Sequence, residues 1–299
     1  MTVEFAPGVR YRMPAVFGPA PGPRQKPDGT PWTAEESGTM HAQWMTIAYR
    51  TRRESLERIL PPGFRLRGEP EVHVSLAFFN NLYWLAGRGY GILSVDIPVV
   101  YTGKHEVIDG AFTPVLWEGR PDAIMTGREE LGFPKLFADI PALSIDHARG
   151  KASGSASWFD FPFFDLSLHG LTEVKDAPKL PGPGGAALFY KYMPRTGPFG
   201  QGGRDVAYVT TSQPLPGATG DTSPIKFQEA NFRKWVGTGG EVRWHRATFE
   251  QLPTTFHVVG GLADLDILEY VGFELTEFSA PGIAVSANVI RPVDPADES

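Results

Sequence analysis

Gly127-Arg-Glu-Glu-Leu-Gly-Phe-Pro-Lys135-Leu-Phe137 sets one lysine between an aromatic–proline pair and a Leu-Phe pair. Stripping water from an ammonium is costly, so most lysines keep the head group solvated and lay only the stem on apolar surface. That ordinary placement is one reading of Lys135. The other is a buried amine. Burial disfavours the charged form, and a neutral amine condenses with ketones and aldehydes to give a Schiff base. Pro134 fixes its own φ and biases Phe133 toward an extended conformation. In a strand, Phe133, Lys135 and Phe137 would share one face and frame the amine with rings, while Leu136 would point away. The same count puts Glu129 and Leu131 on that face, with Gly132 interrupting it. Arg128, Glu129 and Glu130 read either as an ion pair that fixes the segment or as pocket groups, one carboxylate moving protons during imine chemistry.

Around this segment the chain reads as many short strands. Period-two or strongly β-prone runs cover Met40 to Arg50, Glu71 to Phe79 and Ile92 to Tyr101, with Pro98 implying a bulge or an edge. Thr113 to Trp117, Ala123 to Thr126, Ala138 to His147, Lys151 to Phe161, Phe163 to His169, Leu188 to Met193 and Val206 to Ser212 continue the pattern. Helix signals are few. Thr51-Arg-Arg-Glu54 fits a capping box before Leu56, Ile59 and Leu60, with Pro61 and Pro62 as the stop. Ser223-Pro224 fits a cap before a helix over Ile225 to Trp235, and Thr248 to Gln251 is a second T-x-x-Q pattern. Phe256 to Val259 and Ile267 to Leu275 are mixed, and Pro181 to Gly185 is a loop. The Pro/Gly-rich run Phe17 to Trp32 reads as an extended arm, either a surface tail or a cover for a neighbouring subunit or a cavity mouth. These elements predict an arm over residues 1–39, a single α+β, sheet-rich domain over 40–293 and a frayed tail over 294–299.

Composition narrows the function. With 28 basic and 34 acidic side chains the net charge is -6, which disfavours a dedicated nucleic-acid surface. The chain has no cysteine, which removes disulfides, thiolate catalysis and cysteine-ligated metals. Neither a signal-peptide start nor a run long enough to span a membrane is present, and a cytoplasmic location is the expectation. The seven histidines show no metalloprotease spacing, although His41 and His73 lie on predicted strands and could meet in a cavity. Gly87-Arg-Gly-Tyr-Gly91 lacks the context of a dinucleotide fingerprint, and no nucleophile elbow occurs. No cofactor, metal, nucleic-acid or membrane partner is expected.

The segment GREELGFPK resembles the GRE…YPKK segment of the acetoacetate decarboxylase family, with the same interval from GRE to the proline–lysine pair. Tyr49-Arg-Thr51 followed by a short helix and a double proline, Ile97-Pro98-Val99, and Leu262-Ala-Asp-Leu265 are similar to further family segments, in the same order. The likeness spans most of Met40 to Leu275 and is thin between these anchors. It implies a barrel-type, sheet-rich domain, a homo-oligomer, and Lys135 as the Schiff-base lysine. Three positions depart from the family pattern. Leu136 stands where the family has a second lysine, Ala42 where it has an arginine and Ile92 where it has a glutamate. Those losses suggest a changed reaction on the same imine: aldol addition, retro-aldol cleavage or dehydration, with a small keto acid such as pyruvate or an aldehyde as substrate. Decarboxylation of a β-keto acid is the alternative, and a non-catalytic small-molecule binder the second alternative. Imine chemistry also needs an acid/base group: Tyr270, after the late segment, and Glu129, on the strand face of Lys135, are candidates, with Arg128, Glu130, Phe133, Tyr90 and Tyr83 as candidate substrate contacts. The plainer reading of Tyr270 is a half-buried core tyrosine.

Overall fold

A computed structural model describes residues 5–175, 182–213, 231–281 and 290–294. Its strands are β1 (Thr39–Arg50), β2 (Phe64–Leu66), β3 (Glu71–Leu82), β4 (Arg88–Thr102), β5 (Val107–Glu118), β6 (Lys135–Phe137), β7 (Ser144–Asp146) and β8 (Lys151–Trp158). The series continues with β9 (Phe161–His169), β10 (Thr172–Val174), β11 (Ala186–Pro194), β12 (Arg204–Thr211), β13 (Asn231–Val236), β14 (Gly239–Trp244), β15 (Glu269–Pro281) and β16 (Arg291–Pro292). Four short helices join them: α1 (Ala34–Ser37), α2 (Arg53–Glu57), α3 (Pro121–Thr126) and α4 (Phe256–Ala263).

A 12-stranded mixed sheet runs β10-β13-β15-β1-β3-β4-β5-β11-β12-β16, with β2 added on β4 and β6 on β5. A second, 4-stranded sheet runs β14-β9-β8-β7. The α+β, sheet-rich class holds, but the barrel does not. Among the described residues the end strands β10 and β16 pair with β13 and β12 and not with each other, so the large sheet stays open. Closure needs a continuous ladder between first and last strands; here both ends are strands of two or three residues.

Alternation along the central strands separates two faces. Met45 and Ile47 of β1, Val74 and Leu76 of β3, and Leu93 and Val95 of β4 are fully buried in the main core. That core also takes Ala152 and Ala156 from β8 and Phe163, Leu166 and Leu168 from β9, so this face is covered by the small sheet. The intervening residues, including Trp44, Ser75, Ala77, Ile92, Ser94 and Asp96, face a cavity on the other side.

Several local expectations change. Ala123 to Thr126 is not a strand: Pro121 starts α3, and a proline at the first helical position gives up only an orphan N–H. Gly127–Leu131 continue as one π-helical turn that Gly132 ends at φ 80, a left-handed conformation that suits glycine. Glu129, Leu131, Phe133 and Lys135 therefore do not form a strand face, and β6 begins only at Lys135. Arg52, not Thr51, stands at the N-cap position of α2 with no side-chain cap, and the Thr51 hydroxyl is buried with no hydrogen-bond partner among the described residues. Within Ala138 to His147 only Ser144–Asp146 pairs as a strand. Asn231–Val236, the described part of the expected helix over Ile225 to Trp235, is strand β13 between β10 and β15; residues 223–230 lie outside the described set, as do Pro181 and residues 295–299. The bulge in β4 falls between Val95 and Ile97, not at Pro98. Pro98 sits between the stretches that pair with β3 and β2, where its missing N–H interrupts neither ladder.

The arm is packed against the body. Arg12 Nη1 donates to Thr126 Oγ1 at 2.5 Å and its Nε lies 3.2 Å from Glu130. Tyr83 Oη donates to the Pro23 carbonyl, and Arg24 donates to the Ile290 carbonyl.

Candidate active site

One edge of β5 is shared between two parallel partners. β11 pairs with Gly110–Phe112, and β6 pairs with Leu116–Glu118. The second pairing sets Lys135 opposite Leu116, and Glu118 one pleat further along the same face. Lys135 is buried at 6% exposure and Glu118 at 2%. The Lys135 ammonium lies 2.8 Å from Glu118 Oε1 and donates to the Ala123 carbonyl at 3.1 Å. Gly127 lies against the lysine stem: a Cβ there would stand 2.3 Å from Lys135 Cδ and Cε. The missing side chain at Gly127, the first glycine of the quoted segment, thus leaves the space that the Lys135 stem occupies. Arg128 Nη1 donates to the Lys135 carbonyl, which fixes the backbone rather than reaching the amine. Phe133 stacks on Phe189 with centroids 3.9 Å apart, and the Lys135 nitrogen sits 5.2 Å from the Phe133 ring.

The amine opens on a cavity of about 500 Å³. Leu116, Leu131, Phe133, Phe189 and Ile290 form the wall beside it, and Trp44, Phe79, Trp84, Tyr90 and Phe278 form an aromatic wall. Pro23 of the arm completes the lining, so the arm covers part of the cavity. The polar groups are Ser75, Ser94, Asp96, Thr113, Thr126, Glu118 and Lys135. Burial pushes the Glu118 carboxyl up, while Lys135 pulls it down by charge and hydrogen bond. Its second oxygen, Oε2, is buried with no hydrogen-bond partner among the described residues, which leaves a free acceptor next to the amine. Asp96 is also raised by burial, opposed by hydrogen bonds from Thr113 Oγ1 at 2.5 Å and Ser94 Oγ at 3.0 Å. The β4 bulge sets this carboxylate opposite Thr113. The Tyr90 phenol is held well above its ordinary value by burial, with Glu118 adding to the effect.

Of the candidates read from sequence, Lys135, Phe133 and Tyr90 line this cavity together. Tyr270 does not: it packs between Tyr49 and Phe273, and its hydroxyl accepts from the Val242 N–H at 3.4 Å. Glu129 is likewise absent from the lining and offers its backbone carbonyl to Lys191 Nζ. Helical rather than extended backbone at 127–131 accounts for this. Glu130 faces the arm, where burial raises its carboxyl and Arg12, Arg10 and Arg24 oppose that shift. Tyr83 anchors the arm through Pro23 and packs edge-on to Trp32. Phe137 turns to Phe159 and not to the amine. His41 and His73 do not meet: on the β1–β3 ladder His41 pairs with Asn80 and His73 with Ala48. No cluster among the described residues could hold a metal ion, and no described helix is long and apolar enough to cross a membrane.

Glu118 and Asp96 are the groups that sequence reading missed. Glu118 follows directly on the strand candidate Thr113 to Trp117, and Asp96 is the one charge in the run Ile92 to Tyr101. A charge inside an otherwise apolar strand is the signal that could have marked Asp96. Ala42 is buried in the cluster behind the aromatic wall and Ile92 lines the cavity. Carboxylates therefore enter the site from other positions than those two.

A family model, Acetoacetate decarboxylase (ADC), matches residues 17–223, more than half of the chain. A curated acetoacetate decarboxylase from Clostridium botulinum (strain Eklund 17B / Type B) is 26% identical over 133 residues, covering 42% of this chain and 52% of that protein. The chain thus spans about half the length of the curated relative it matches. Among solved structures, the acetoacetate decarboxylase of Legionella pneumophila aligns at TM-score 0.58 and 18% identity, covering 86% of this chain and 88% of that one. The enduracididine biosynthesis enzyme MppR, solved with pyruvate, aligns at TM-score 0.57 and 16% identity, covering 87% and 91%. The sheet order, the buried lysine and the family match converge: this chain belongs to the acetoacetate decarboxylase family.

Proposed function

We propose that the protein is a Schiff-base-forming lyase in which Lys135 condenses with the carbonyl of a small keto acid such as pyruvate. The carrying observation is the Lys135 amine, 6% exposed on a cavity wall and 2.8 Å from Glu118. Proton transfer from the ammonium to Glu118 leaves a neutral amine to attack the carbonyl carbon. The resulting carbinolamine loses water, its hydroxyl leaving with a proton from Glu118, and the iminium remains on Nζ. Glu118, again a carboxylate, then removes a proton from the carbon next to the iminium. The electron pair moves into the C=N system and forms the enamine. Addition of that enamine carbon to an aldehyde makes a carbon–carbon bond while the aldehyde oxygen takes the proton from Glu118; loss of the new hydroxyl with the neighbouring hydrogen as water gives the dehydrated product, and hydrolysis of the imine restores Lys135.

Aldol chemistry with dehydration is favoured over decarboxylation. A cavity of about 500 Å³ has room for two reactants, and Leu136 replaces the family's second lysine. MppR, a relative in fold, was solved with pyruvate and with a condensation product of pyruvate and imidazole 4-carboxaldehyde. The name carried by the family model and the Clostridium relative keeps decarboxylation as the second reading. Incubation with pyruvate plus an aldehyde, followed by product analysis, and a parallel assay of CO2 release from acetoacetate divide the two. Neither product, with no trapped adduct from any carbonyl compound, leaves a non-catalytic binding protein.

A further inference from the structure

The cavity is larger than a small keto acid fills. Its volume is about 500 Å³, within the roughly 300–1,000 Å³ of pockets that enclose drug-sized ligands. Pyruvate would fill a small part of it. Among the described residues that line it, Lys135 is the one cation, and Glu118 already faces it. Asp96 adds a second carboxylate that takes hydrogen bonds from Ser94 and Thr113. The arginines of the arm, Arg10, Arg12 and Arg24, are not part of the lining; Arg12 is paired with Glu130. A carboxylate placed away from Lys135 would therefore lose water without gaining a cation, a costly exchange.

Opposite these groups stands the aromatic wall. Phe79 packs edge-on to Trp44 at 6.0 Å and to Phe278 at 6.5 Å, and Trp84 packs edge-on to Tyr90 at 6.3 Å. Ala77 lies between them in register, paired with Trp44 on β1 and Ile92 on β4, and its small side chain leaves the space open. Rings held this way present faces and edges to a further ring.

We infer that, beside a small keto acid, Lys135 accepts a carbonyl compound with an uncharged, ring-sized apolar group, which the aromatic wall of Trp44, Phe79, Trp84, Tyr90 and Phe278 receives while its carbonyl meets Lys135. This rests on the imine reading for the carbonyl end and on the cavity alone for the apolar end. The test uses two ketones that differ only at the far end, 4-phenylbutan-2-one and 4-oxopentanoate, each trapped on the protein with borohydride. A third ligand, 4-phenylbutan-2-ol, cannot form an imine and reports the compartment by quenching or shifting tryptophan fluorescence.

The phenyl ketone is expected to reach half-maximal labelling of Lys135 at a concentration at least about tenfold lower than 4-oxopentanoate. Substitution Ala77→Leu is expected to shrink that ratio by filling the compartment. Equal labelling by the two ketones, or preference for 4-oxopentanoate, overturns the inference. Saturable binding of the alcohol with no labelling by either ketone retains the apolar compartment and removes the imine. Absence of both labelling and alcohol binding removes both.

Discussion

The two faces of the large sheet do different work with the same strands. Toward the small sheet, β1, β3 and β4 present Met45, Ile47, Val74, Leu76, Leu93 and Val95, all fully buried and all apolar. Toward the cavity, the alternate positions of the same strands present Trp44, Ser75, Ala77, Ile92, Ser94 and Asp96. The first face is filled almost wholly by apolar side chains. The second keeps a hollow and, with β5 and β6, holds the buried carboxylate of Glu118, the half-buried one of Asp96 and a buried lysine. Under the proposed function, the first face supplies packing and the second holds the groups for the chemistry.

The largest expected effect is on the cavity side. Lys135→Met leaves Glu118 buried and unpaired, and removing one partner of a buried pair costs roughly 3–5 kcal/mol. Imine trapping disappears in the same variant. The double variant Lys135→Met/Glu118→Gln is expected to recover most of the stability and none of the trapping. Urea unfolding of both, with mass analysis after borohydride, checks this; a double variant no more stable than the single one would mean the pair is not the source of the cost. Next comes the packed face, where Leu76→Ala is expected to cost about 3 kcal/mol through lost transfer energy and a new void. Phe79→Ala, on the wall that already borders a hollow, is expected to cost less relative to the area it removes. Denaturation midpoints of the two variants test the contrast directly.

His73 gives a similar-sized effect that depends on pH. Burial lowers its imidazole to about 4 from 6.5, with Arg67 adding to the shift, Glu274 opposing it and Glu71 lying 3.7 Å away. Between pH 6.5 and about 4 the unfolded chain binds the proton and the folded one does not. Stability is therefore full above the unfolded value and falls as pH drops through this window, by up to roughly 3 kcal/mol. His73→Gln is expected to flatten that slope, read as unfolding midpoint against pH. The smallest effect has the opposite sign. Asp96 is raised by burial, so its folded-state contribution is present at low pH and lost as pH rises through the folded value. At neutral pH Asp96→Asn is expected to stabilise the protein by about 1 kcal/mol and to reduce turnover. A destabilised Asp96→Asn with unchanged turnover would show that this carboxylate is structural.

Sequence legibility follows the same division. The packed strands were readable because their apolar residues alternate, as in Val72, Val74, Leu76 and Phe78 of β3. The lysine was readable because its neighbours in the chain, Gly127 and Phe133, also surround it in space. The backbone between them was not: Gly127–Leu131 form one helical turn, in which Arg128, Glu129 and Glu130 serve the backbone and the arm while Leu131 stays on the cavity wall. Glu118 was hidden for another reason. It reaches Lys135 through the parallel β5–β6 pairing, a contact between chain segments that no local pattern encodes. Tyr270 was placed by order along the chain, and the ladder carries it to the far end of β15, beside Tyr49.

The account rests on a covalent bond at one nitrogen, and tryptic mapping reads that bond directly. After incubation with pyruvate and borohydride, trypsin should no longer cleave at Lys135. The fragment Glu129–Arg149 should then appear carrying the mass of reduced pyruvate, in place of Glu129–Lys135. Recovery of unmodified Glu129–Lys135 alone, with pyruvate and with every other carbonyl compound tried, would contradict it.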